Sequence, residues 1–333
     1  MSKDYKERVT IYEVAKAAGV SLATVSRVIN NTTTVKEETR DKVLSIINKL
    51  GYKPSGLAQA LATNKTTSIG IIIPSANYVY ISNMLNGIIE VCKSKGFTTN
   101  LYTSSHSRSD AIESIEKIIK THVDGVIVFD DELSEEDIEL FNSYGVPVVA
   151  VNNSITASKI ASIPFGYEHV LKNVIKDYFN RGDKKMTFLH VHNAGRLLSR
   201  VENAFIQTHL ENDREYDIMN CDDSYLRTYQ DFLERFKRVK KEYVIAYRDS
   251  IAAAVLNAAA DSGLNVPEDI EVLSIIGTKY SSIIRPTITN LYIDMQEVGK
   301  RAMYMLVDLI NNQLVDKIYK FESHYVKKDS TRF

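Results

Sequence analysis

The sequence predicts an α/β protein in which an all-helical N-terminal module precedes a core of two doubly wound parallel sheets. Three observations lead to this prediction. Near the N-terminus, capping residues and a glycine divide the chain into two short helices. From Ser68 onward, short apolar runs alternate with amphipathic helical stretches, which is typical of a parallel sheet. The alternation occurs twice, so we expect two similar halves.

Capping signals bound the first two helices. Thr10 and Glu13 have the spacing of a capping box, Gly19 is expected to end the first helix, and Ser21 is placed to cap the second. Apolar residues recur at helical spacing in both, at Ile11, Val14, Ala15 and Ala18 and then at Val20, Val25, Val28 and Ile29. Because alanine side chains are short, the helices can cross closely and leave the second free to enter a major groove about 12 Å wide. The pattern predicts a DNA-binding helix-turn-helix.

The exposed face of the second helix carries small, apolar and hydrogen-bonding side chains and one guanidinium. The candidates for contact with base edges are Leu22, Ala23, Thr24, Ser26, Arg27 and Asn30. A face of this composition suits a DNA groove. The same pattern is also found on the solvent-exposed surface of an ordinary helical hairpin.

The pattern continues through a third helix, predicted from Lys36 to Leu50 with an apolar stripe at Val43, Ile46, Ile47 and Leu50, and then through Gly51-Tyr52-Lys53-Pro54. The whole block resembles the DNA-binding headpiece of the lactose-repressor (LacI/GalR) family of bacterial transcription regulators. The resemblance implies that Leu22 and Ala23 occupy the two principal base-reading positions. It places the other candidate DNA contacts at Thr10, Ser21, Thr24, Ser26, Arg27, Asn30 and Tyr52.

Residues 55–62 resemble the segment that forms a hinge helix on operator DNA in this family. Leu61 stands at the position of the leucine that enters the minor groove, and two such leucines, one from each subunit, kink the duplex. The resemblance therefore implies a dimer. From residue chemistry alone the segment is equally typical of a buried helix, but its place beside a polar run favours a linker. We expect a headpiece at 1–54, a hinge helix and linker at 55–67, and an effector-binding and dimerisation core at 68–333.

The Leu22-Ala23 pair resembles the branch of the family that controls carbon catabolism. This resemblance implies a palindromic operator with a central CG step and a phosphorylated carrier protein as corepressor. Tyr304 stands where that branch has an arginine that contacts the carrier, which counts against this partner.

Composition is that of an ordinary globular protein, with 333 residues, 44% of them hydrophobic, and a formal charge of -1. The charge is unevenly distributed. Residues 1–66 contain 11 Lys and Arg against 6 Asp and Glu, whereas the remainder contains 30 against 36. The basic excess suits phosphate neutralisation, and the acidic remainder is expected to face away from DNA.

Other function classes receive no support from the motifs. Cys92 and Cys221 lie far apart and lack metal-ligand spacing, so we expect structural thiols in a reducing cytoplasm. We also expect no membrane contact, because no signal peptide and no apolar run of membrane-spanning length are evident. A glycine-rich dinucleotide motif, a phosphate-binding loop, a nucleophile elbow and a metal cluster are all absent from the sequence, which predicts neither an enzyme nor a cofactor or metal site.

The core is predicted from two series of apolar runs. The first comprises 69–73, 98–102, 125–129 and 146–151, and the second comprises 186–191, 216–219, 243–246 and 272–276, with helices in the second half near 167–180, 196–210, 225–239 and 249–262. The chain is expected to cross between the halves near 152–166 and 277–294. Ligands of such sheets bind at the carboxyl ends of the strands. The layout resembles the family's regulatory core, which is similar to periplasmic binding proteins.

The predicted cleft departs from the family pattern. Tyr78-Val79-Tyr80-Ile81 stands where many members have Asn-Pro-Phe-Phe, and Gly166 and Ile276 stand where they have aspartates. Arg200 and Asp249 align with effector-contacting residues, although a surface salt bridge and a helix N-cap are alternative roles. Aromatic residues near the strand ends could stack on a planar ligand or fill the cleft, at Tyr78, Tyr80, Tyr102, Phe129, Tyr247 and Tyr280. The candidate effector-binding residues are Tyr78, Tyr80, Phe129, Arg200, Asp249 and Ile276.

The resemblance implies a homodimeric repressor of carbohydrate or related metabolic genes, controlled by a ligand in the cleft. Because the two aspartates are missing, we expect an effector other than a simple hexose, or a degenerate cleft controlled by a protein partner or by no small molecule. A dimer is favoured over a tetramer because no heptad tail follows Tyr325.

Overall fold

The computed structural model describes residues 9–30, 34–53, 65–182, 185–192 and 195–332. The chain divides into two compact units, Met1–Thr67 and Ser68–Phe333. The predicted hinge helix and Leu61 lie outside the described residues. In the parts of the chain that are described, no helix is both long and apolar enough to cross a membrane.

The first unit contains three helices around a small apolar cluster. They are α1 (Ile11–Ala18), α2 (Leu22–Ile29) and α3 (Glu37–Leu50). Val14, Ala18, Val25 and Val43 form the centre of the cluster. The predicted stripe on α3 is shorter than expected, because Leu50 is exposed. α1 and α2 are only eight residues long each and cover only part of α3.

The second unit begins with a five-stranded parallel sheet. Its strands are β1 (Ser68–Ile73), β2 (Thr98–Thr103), β3 (Gly125–Val128), β4 (Val148–Val151) and β5 (Ile160–Ile163), in the order β2-β1-β3-β4-β5. Helices α4 (Val79–Lys95), α5 (Arg108–Lys120) and α6 (Glu135–Ser143) connect them. Alternate residues of β1 join different apolar clusters, Ile71 one and Ile72 the other, so the sheet is buried on both faces as a doubly wound fold requires.

The second subdomain is a six-stranded sheet with the order β13-β11-β10-β9-β7-β8. Its strands are β7 (Met186–His190), β8 (Tyr216–Asn220), β9 (Glu242–Arg248), β10 (Ile270–Ile276), β11 (Thr289–Tyr292) and β13 (His324–Val326). Its helices are α7 (Glu168–Asn180), α8 (Gly195–Glu211), α9 (Tyr225–Arg235), α10 (Asp249–Asp261) and α11 (Tyr280–Ile283). β13 runs antiparallel to β11, whereas the other pairs are parallel.

The chain crosses between the subdomains three times, not twice as the sequence predicted. β6 (Phe165–Gly166) makes the first crossing, residues 293–294 make the second, and β12 (Phe321–Glu322) pairs with β6 on the third. The long helix α12 (Met295–Ile310) therefore returns to the first subdomain and packs on α4. The predicted first crossing segment also contains β5, which belongs to the first sheet.

Two glycines allow α4 and α12 to approach each other closely. A Cβ atom on Gly87 would lie 2.0 Å from the carbonyl oxygen of Gln296, and one on Gly299 would lie 2.0 Å from that of Met84. Because the obstructing atoms are backbone, the helices cannot cross at this distance with any larger residue at either position.

Candidate nucleic-acid interface and ligand cavity

The two helices of the predicted DNA-binding motif are capped as the sequence indicates. The Thr10 hydroxyl accepts the backbone N–H of Glu13 at 3.4 Å, and the Glu13 carboxylate accepts that of Thr10 at 2.7 Å. The Thr10 hydroxyl also donates to this carboxylate at 2.9 Å, and the two hydrogen bonds from Thr10 hold the pKa of Glu13 below its usual value. Gly19 ends α1 in a left-handed conformation, φ 65°. The Ser21 hydroxyl then accepts the backbone N–H of Thr24 at 3.2 Å, which fixes the start of α2.

α2 presents one face to its neighbours and the other to solvent. Val25 and Val28 are buried against α1 and α3. On the opposite face Ser21, Leu22, Ala23, Arg27 and Asn30 are exposed, while Thr24 and Ser26 are half-buried. The predicted DNA-contacting side chains of α2 therefore share one accessible side.

Two further predicted DNA contacts lie elsewhere in the headpiece. Thr10 is exposed at the start of α1. Tyr52, which follows α3, is half-buried against the apolar cluster. Its ring therefore helps to hold the three helices together, whatever its hydroxyl contacts.

A cavity of about 280 Å³ lies between the two subdomains of the core. The first subdomain contributes residues that follow β1, β2, β3 and β4, and the second contributes residues that follow β7 and β8 or lie at the ends of β9 and β10. The carboxyl ends of parallel strands from both sheets thus meet at one space, as expected for this topology. Four of the six predicted effector residues line it: Tyr78, Tyr80, Phe129 and Ile276.

Aromatic rings form a continuous wall of the cavity. Tyr78 and Tyr80 are stacked with their centroids 5.6 Å apart, and Phe129 meets Tyr80 edge to face at 6.2 Å. Phe165 and Tyr167 on the first crossing continue the series. Burial raises the pKa of Tyr80 and Tyr167 well above the usual range, so both phenols stay neutral donors.

Two of the six predicted ligand-facing aromatics are not part of this wall. The cavity lining includes Tyr247 but neither Tyr102 nor Tyr280. The Tyr102 hydroxyl lies 3.5 Å from that of Thr121, beside α5, and the Tyr280 side chain is 40% exposed. Strand-end position alone did not reveal which rings turn toward the other subdomain.

The cavity carries carboxylates that the sequence interpretation missed. Gly166 and Ile276 do replace two expected aspartates, but Asp130, Asp131 and Glu132 after β3 and Asp222 and Asp223 after β8 line the space instead. Acidic residues directly after two predicted parallel strands were the available signal. None of these five carboxylates was among the predicted effector-binding residues.

Arg200 and Asp249 are not among the residues that line this cavity, and Arg200 lines an adjoining pocket that shares Asp131 and Asn152 with it. The Asp249 carboxylate accepts the backbone N–H of Thr278 at 2.8 Å and its hydroxyl at 2.6 Å. Asp249 is the first residue of α10 and not its N-cap, which is Arg248. The side chain therefore fixes the loop after β10.

Arg200 joins the two subdomains. Its guanidinium donates to the Asn152 side chain at 3.0 Å and pairs with Glu168 at 2.8 Å. Nearby, the backbone N–H of Arg196 donates to Asp131 at 3.1 Å, and the Arg196 guanidinium donates to the Leu133 carbonyl. The contacts of Arg200 with Asn152 and of Arg196 with Asp131 and Leu133 therefore join the two subdomains beside the cavity.

The histidines and cysteines form no metal site in the residues described. His192 lines the cavity, whereas the Nδ1 atom of His190 lies 2.7 Å from Glu202. No group of three potential metal ligands occurs anywhere in the described ranges. Cys92 and Cys221 are free and buried, and burial raises the pKa of both thiols to about 11.

The chain is similar to known proteins along nearly its whole length. Residues 10–55 match the family described as bacterial regulatory proteins, lacI family, and residues 180–331 match the periplasmic binding protein-like domain. Catabolite control protein A of Staphylococcus xylosus is 31% identical over 316 residues, which cover 93% of this chain and 94% of that protein. The HTH-type transcriptional regulator pepR1 of Lactobacillus delbrueckii subsp. lactis is 31% identical over 334 residues, 98% of each.

The fold has a close match among solved structures. The crystal structure of the lac repressor dimer bound to operator and the anti-inducer ONPF superimposes with a TM-score of 0.86, at 22% identity, over 98% of this chain and 99% of that one. The predicted architecture, a helix-turn-helix headpiece and a periplasmic-binding-protein-like core, is confirmed. The chain belongs to the lacI family of bacterial regulatory proteins and is a DNA-binding transcription regulator.

Proposed function

We propose that this protein is a homodimeric repressor whose affinity for a palindromic operator depends on the occupant of the core cavity. One observation carries the proposal: residues of both subdomains line the same cavity. A ligand that contacts both sides necessarily favours one degree of closure over another. Operator affinity then changes by the factor that corresponds to this preference.

The proposed reading of DNA uses the exposed face of α2. Leu22 and Ala23 lie at its start and provide apolar contact, while Arg27 can donate two hydrogen bonds to guanine. The hydroxyls of Thr10 and Ser21 already fix the helix starts, and the Thr24 hydroxyl lies 2.9 Å from that of Ser21, so their proposed contribution is to orient the reading side chains. Ser26, Asn30 and Tyr52 complete the proposed contact set, and Leu61 is its minor-groove member.

A second copy of the chain is required by this geometry. One headpiece reads one half-site, and a two-fold operator matches a two-fold dimer. A repressor of the same fold has been crystallised as a dimer on its operator. We therefore infer two chains per operator, acting on the chromosome in the bacterial cytoplasm, with a central CG step between the half-sites.

The proposed effector residues differ in part from those predicted. Tyr78, Tyr80, Phe129 and Ile276 contact the ligand, since they line the cavity. Arg200 holds the closed cleft through Asn152, and Asp249 supports the cavity rim through Thr278. No catalytic step is part of this mechanism.

A phosphorylated carrier protein is not included in the proposal. Tyr304 takes the place of the expected arginine on α12 and is 46% exposed. A phenol there offers no positive charge to a phosphorylated partner.

A two-step experiment tests the proposal. A thermal-shift screen with sugars, nucleosides and phosphorylated sugars first identifies compounds that stabilise the full-length protein. Fluorescence anisotropy on an operator obtained by binding-site selection then measures affinity with and without each compound. We expect every compound that contacts the cavity to change operator affinity. A compound that binds there and leaves operator affinity unchanged would contradict ligand control.

A further inference from the structure

We propose that the effector is a small organic ammonium compound, held by the carboxylates and aromatic rings of the cavity. This inference rests on the proposed function, because it assigns a chemical class to the ligand of the same cavity. Three features of the cavity carry it: the sign of the lining charge, a poorly compensated buried carboxylate and the π faces of the aromatic wall.

The lining is strongly acidic. Five carboxylates and two histidines, His106 and His192, line the cavity, and its described lining includes no lysine or arginine. Arg196 and Arg200 line an adjoining pocket that shares Asp131 and Asn152 with it. Arginines outside the lining compensate part of this charge: Arg227 pairs with Asp222, and Arg248 pairs with Asp223.

The acidic residues after β3 are less well compensated. Asp131 accepts the backbone N–H of Arg196, and the positive charge of that residue lies near it. Asp130 and Glu132 form no ion pair with any residue that the structure describes. The cavity therefore retains an excess of negative charge, which attracts cations and repels anionic ligands such as phosphorylated sugars.

Asp130 is the most deeply placed of these groups. Its residue surface is 7% exposed, and its Oδ1 atom accepts the backbone N–H of Glu132 at 3.0 Å. The Oδ2 atom and the Ser104 hydroxyl are both buried without a well-formed hydrogen bond in the described part of the chain. Ser104 lies near enough to lower the pKa of the carboxyl, but burial outweighs it and raises that pKa. A bound cation would supply the charge partner that Asp130 lacks.

The aromatic wall provides the second half of a cation site. Ammonium groups are attracted to the electron-rich faces of tyrosine and phenylalanine rings. The Tyr78 ring already holds the Arg248 guanidinium, with its carbon 4.5 Å from the ring centroid. Tyr80, Phe129, Phe165 and Tyr247 extend the same surface around the cavity.

Neutral sugars fit this arrangement less well. A hydroxyl can donate to Asp130, but it brings no charge to offset the burial of that carboxylate. A volume of about 280 Å³ suits a compound of monosaccharide size or smaller. The cavity therefore favours a small ligand that carries a positive charge.

The test compares cations with neutral compounds of the same shape. Calorimetric titrations of the full-length protein use choline against its uncharged carbon analogue, dimethylbutanol, and putrescine against butanediol, with glucose and a phosphorylated hexose as rivals. We expect at least one cation to bind about tenfold or more tightly than its neutral analogue. Comparing the affinity of choline, a quaternary ammonium, with that of putrescine, a primary amine, distinguishes stacking on the rings from hydrogen bonding to Asp130.

Variants then locate the binding site. Asp130→Asn is expected to weaken binding of the tighter-binding cation about tenfold. Glu132→Gln changes a less buried carboxylate and is also expected to weaken this binding. Asp316→Asn serves as the control, because it removes one carboxylate from an exposed site away from the cavity. It should leave affinity unchanged.

The outcomes separate this inference from the proposed function. Absence of saturable binding by both cations, or equal affinity for each charged and neutral pair, overturns the ammonium assignment. The ammonium assignment is also overturned if Asp130→Asn and Glu132→Gln both bind the cation as tightly as the parent protein does. If glucose or the phosphorylated hexose binds instead and shifts operator affinity, the ligand class is wrong and ligand control stands.

Discussion

Single side chains in α2 have separate tasks. Val25 and Val28 anchor the helix, the Ser21 cap fixes where it begins, and Arg27 projects from the exposed face. The helix is only eight residues long, so its position depends on the cap and the buried valines and little on intrinsic helix stability.

Arg27→Ala tests the reading function of this face. Losing a guanidinium that bonds two acceptors of guanine is expected to cost about 1 to 3 kcal/mol of discrimination at one base pair. Binding-site selection should therefore return a consensus that is relaxed at that pair. Lys95→Ala removes a positive charge from the second unit, far from Arg27 along the chain, and should leave the consensus intact. An unchanged consensus for Arg27→Ala would refute its assignment.

His209 links the stability of the second subdomain to pH. Its Nδ1 atom lies 2.8 Å from the Phe205 carbonyl, its Nε2 atom is buried without a partner in the described residues, and burial lowers its pKa. The unfolded chain therefore binds a proton more readily than the folded chain. Stability is expected to be lost as pH falls below the unfolded value of about 6.5.

His209→Leu checks this expectation. Thermal unfolding is measured at one pH above and one pH below the range in which histidine titrates. The melting temperature should fall less between these two pH values for this variant than for the parent protein. His324→Gln replaces an exposed histidine and should behave as the parent does. An identical acid-induced loss in His209→Leu would show that other groups cause it.

Whole elements depend on close backbone approach. The crossing of α4 and α12 leaves no room for a Cβ at position 299, because the Met84 carbonyl lies 2.0 Å from where that atom would be. Gly299→Ala is expected to destabilise the core by about 1 to 3 kcal/mol. Denaturant unfolding should show a lower midpoint for this variant than for the parent protein. Tyr304→Ala, at an exposed position on the same helix, should change it little, and equal midpoints for the two variants would contradict the packing argument.

The start of α8 lies directly against the opposite subdomain. Gly195 has a φ of 80°, and a Cβ there would lie 2.1 Å from Asp131 of the opposite subdomain. Gly195→Ala should therefore open the cleft, seen as faster hydrogen exchange in residues 129–133 and 196–200. Gly182→Ala is a matched control, because it has a similar φ of 84° and open space around the added atom. If hydrogen exchange in these residues is unchanged in Gly195→Ala, the contact of position 195 with Asp131 does not influence the cleft.

Elements with strong local signals were predictable, and contacts between distant elements were not. The caps at Thr10, Gly19 and Ser21 depend on neighbouring residues, so the headpiece helices were located within a residue or so. β5 is only four residues long, and the third crossing at β12 is two, so neither produces a clear periodic pattern. The partners of Arg200 and Asp249 lie dozens of residues away along the chain, which spacing cannot reveal.

The molecule as a whole separates two kinds of charge. The basic excess lies in residues 1–66, whereas the remainder is acidic and places carboxylates in its cavity. The N-terminal unit thus favours phosphate and the core favours cations, which agrees with the proposed binding of DNA by the former and of a small ligand by the latter.

Counting the chains on DNA tests the central proposal most directly. Native mass measurement, with a parallel anisotropy titration, compares a selected palindrome, a single half-site and a random duplex of equal length. We predict two chains on the palindrome and an affinity at least about a thousandfold above that for the random duplex. One chain per palindrome, or equal affinity for all three duplexes, would contradict the paired-headpiece mechanism.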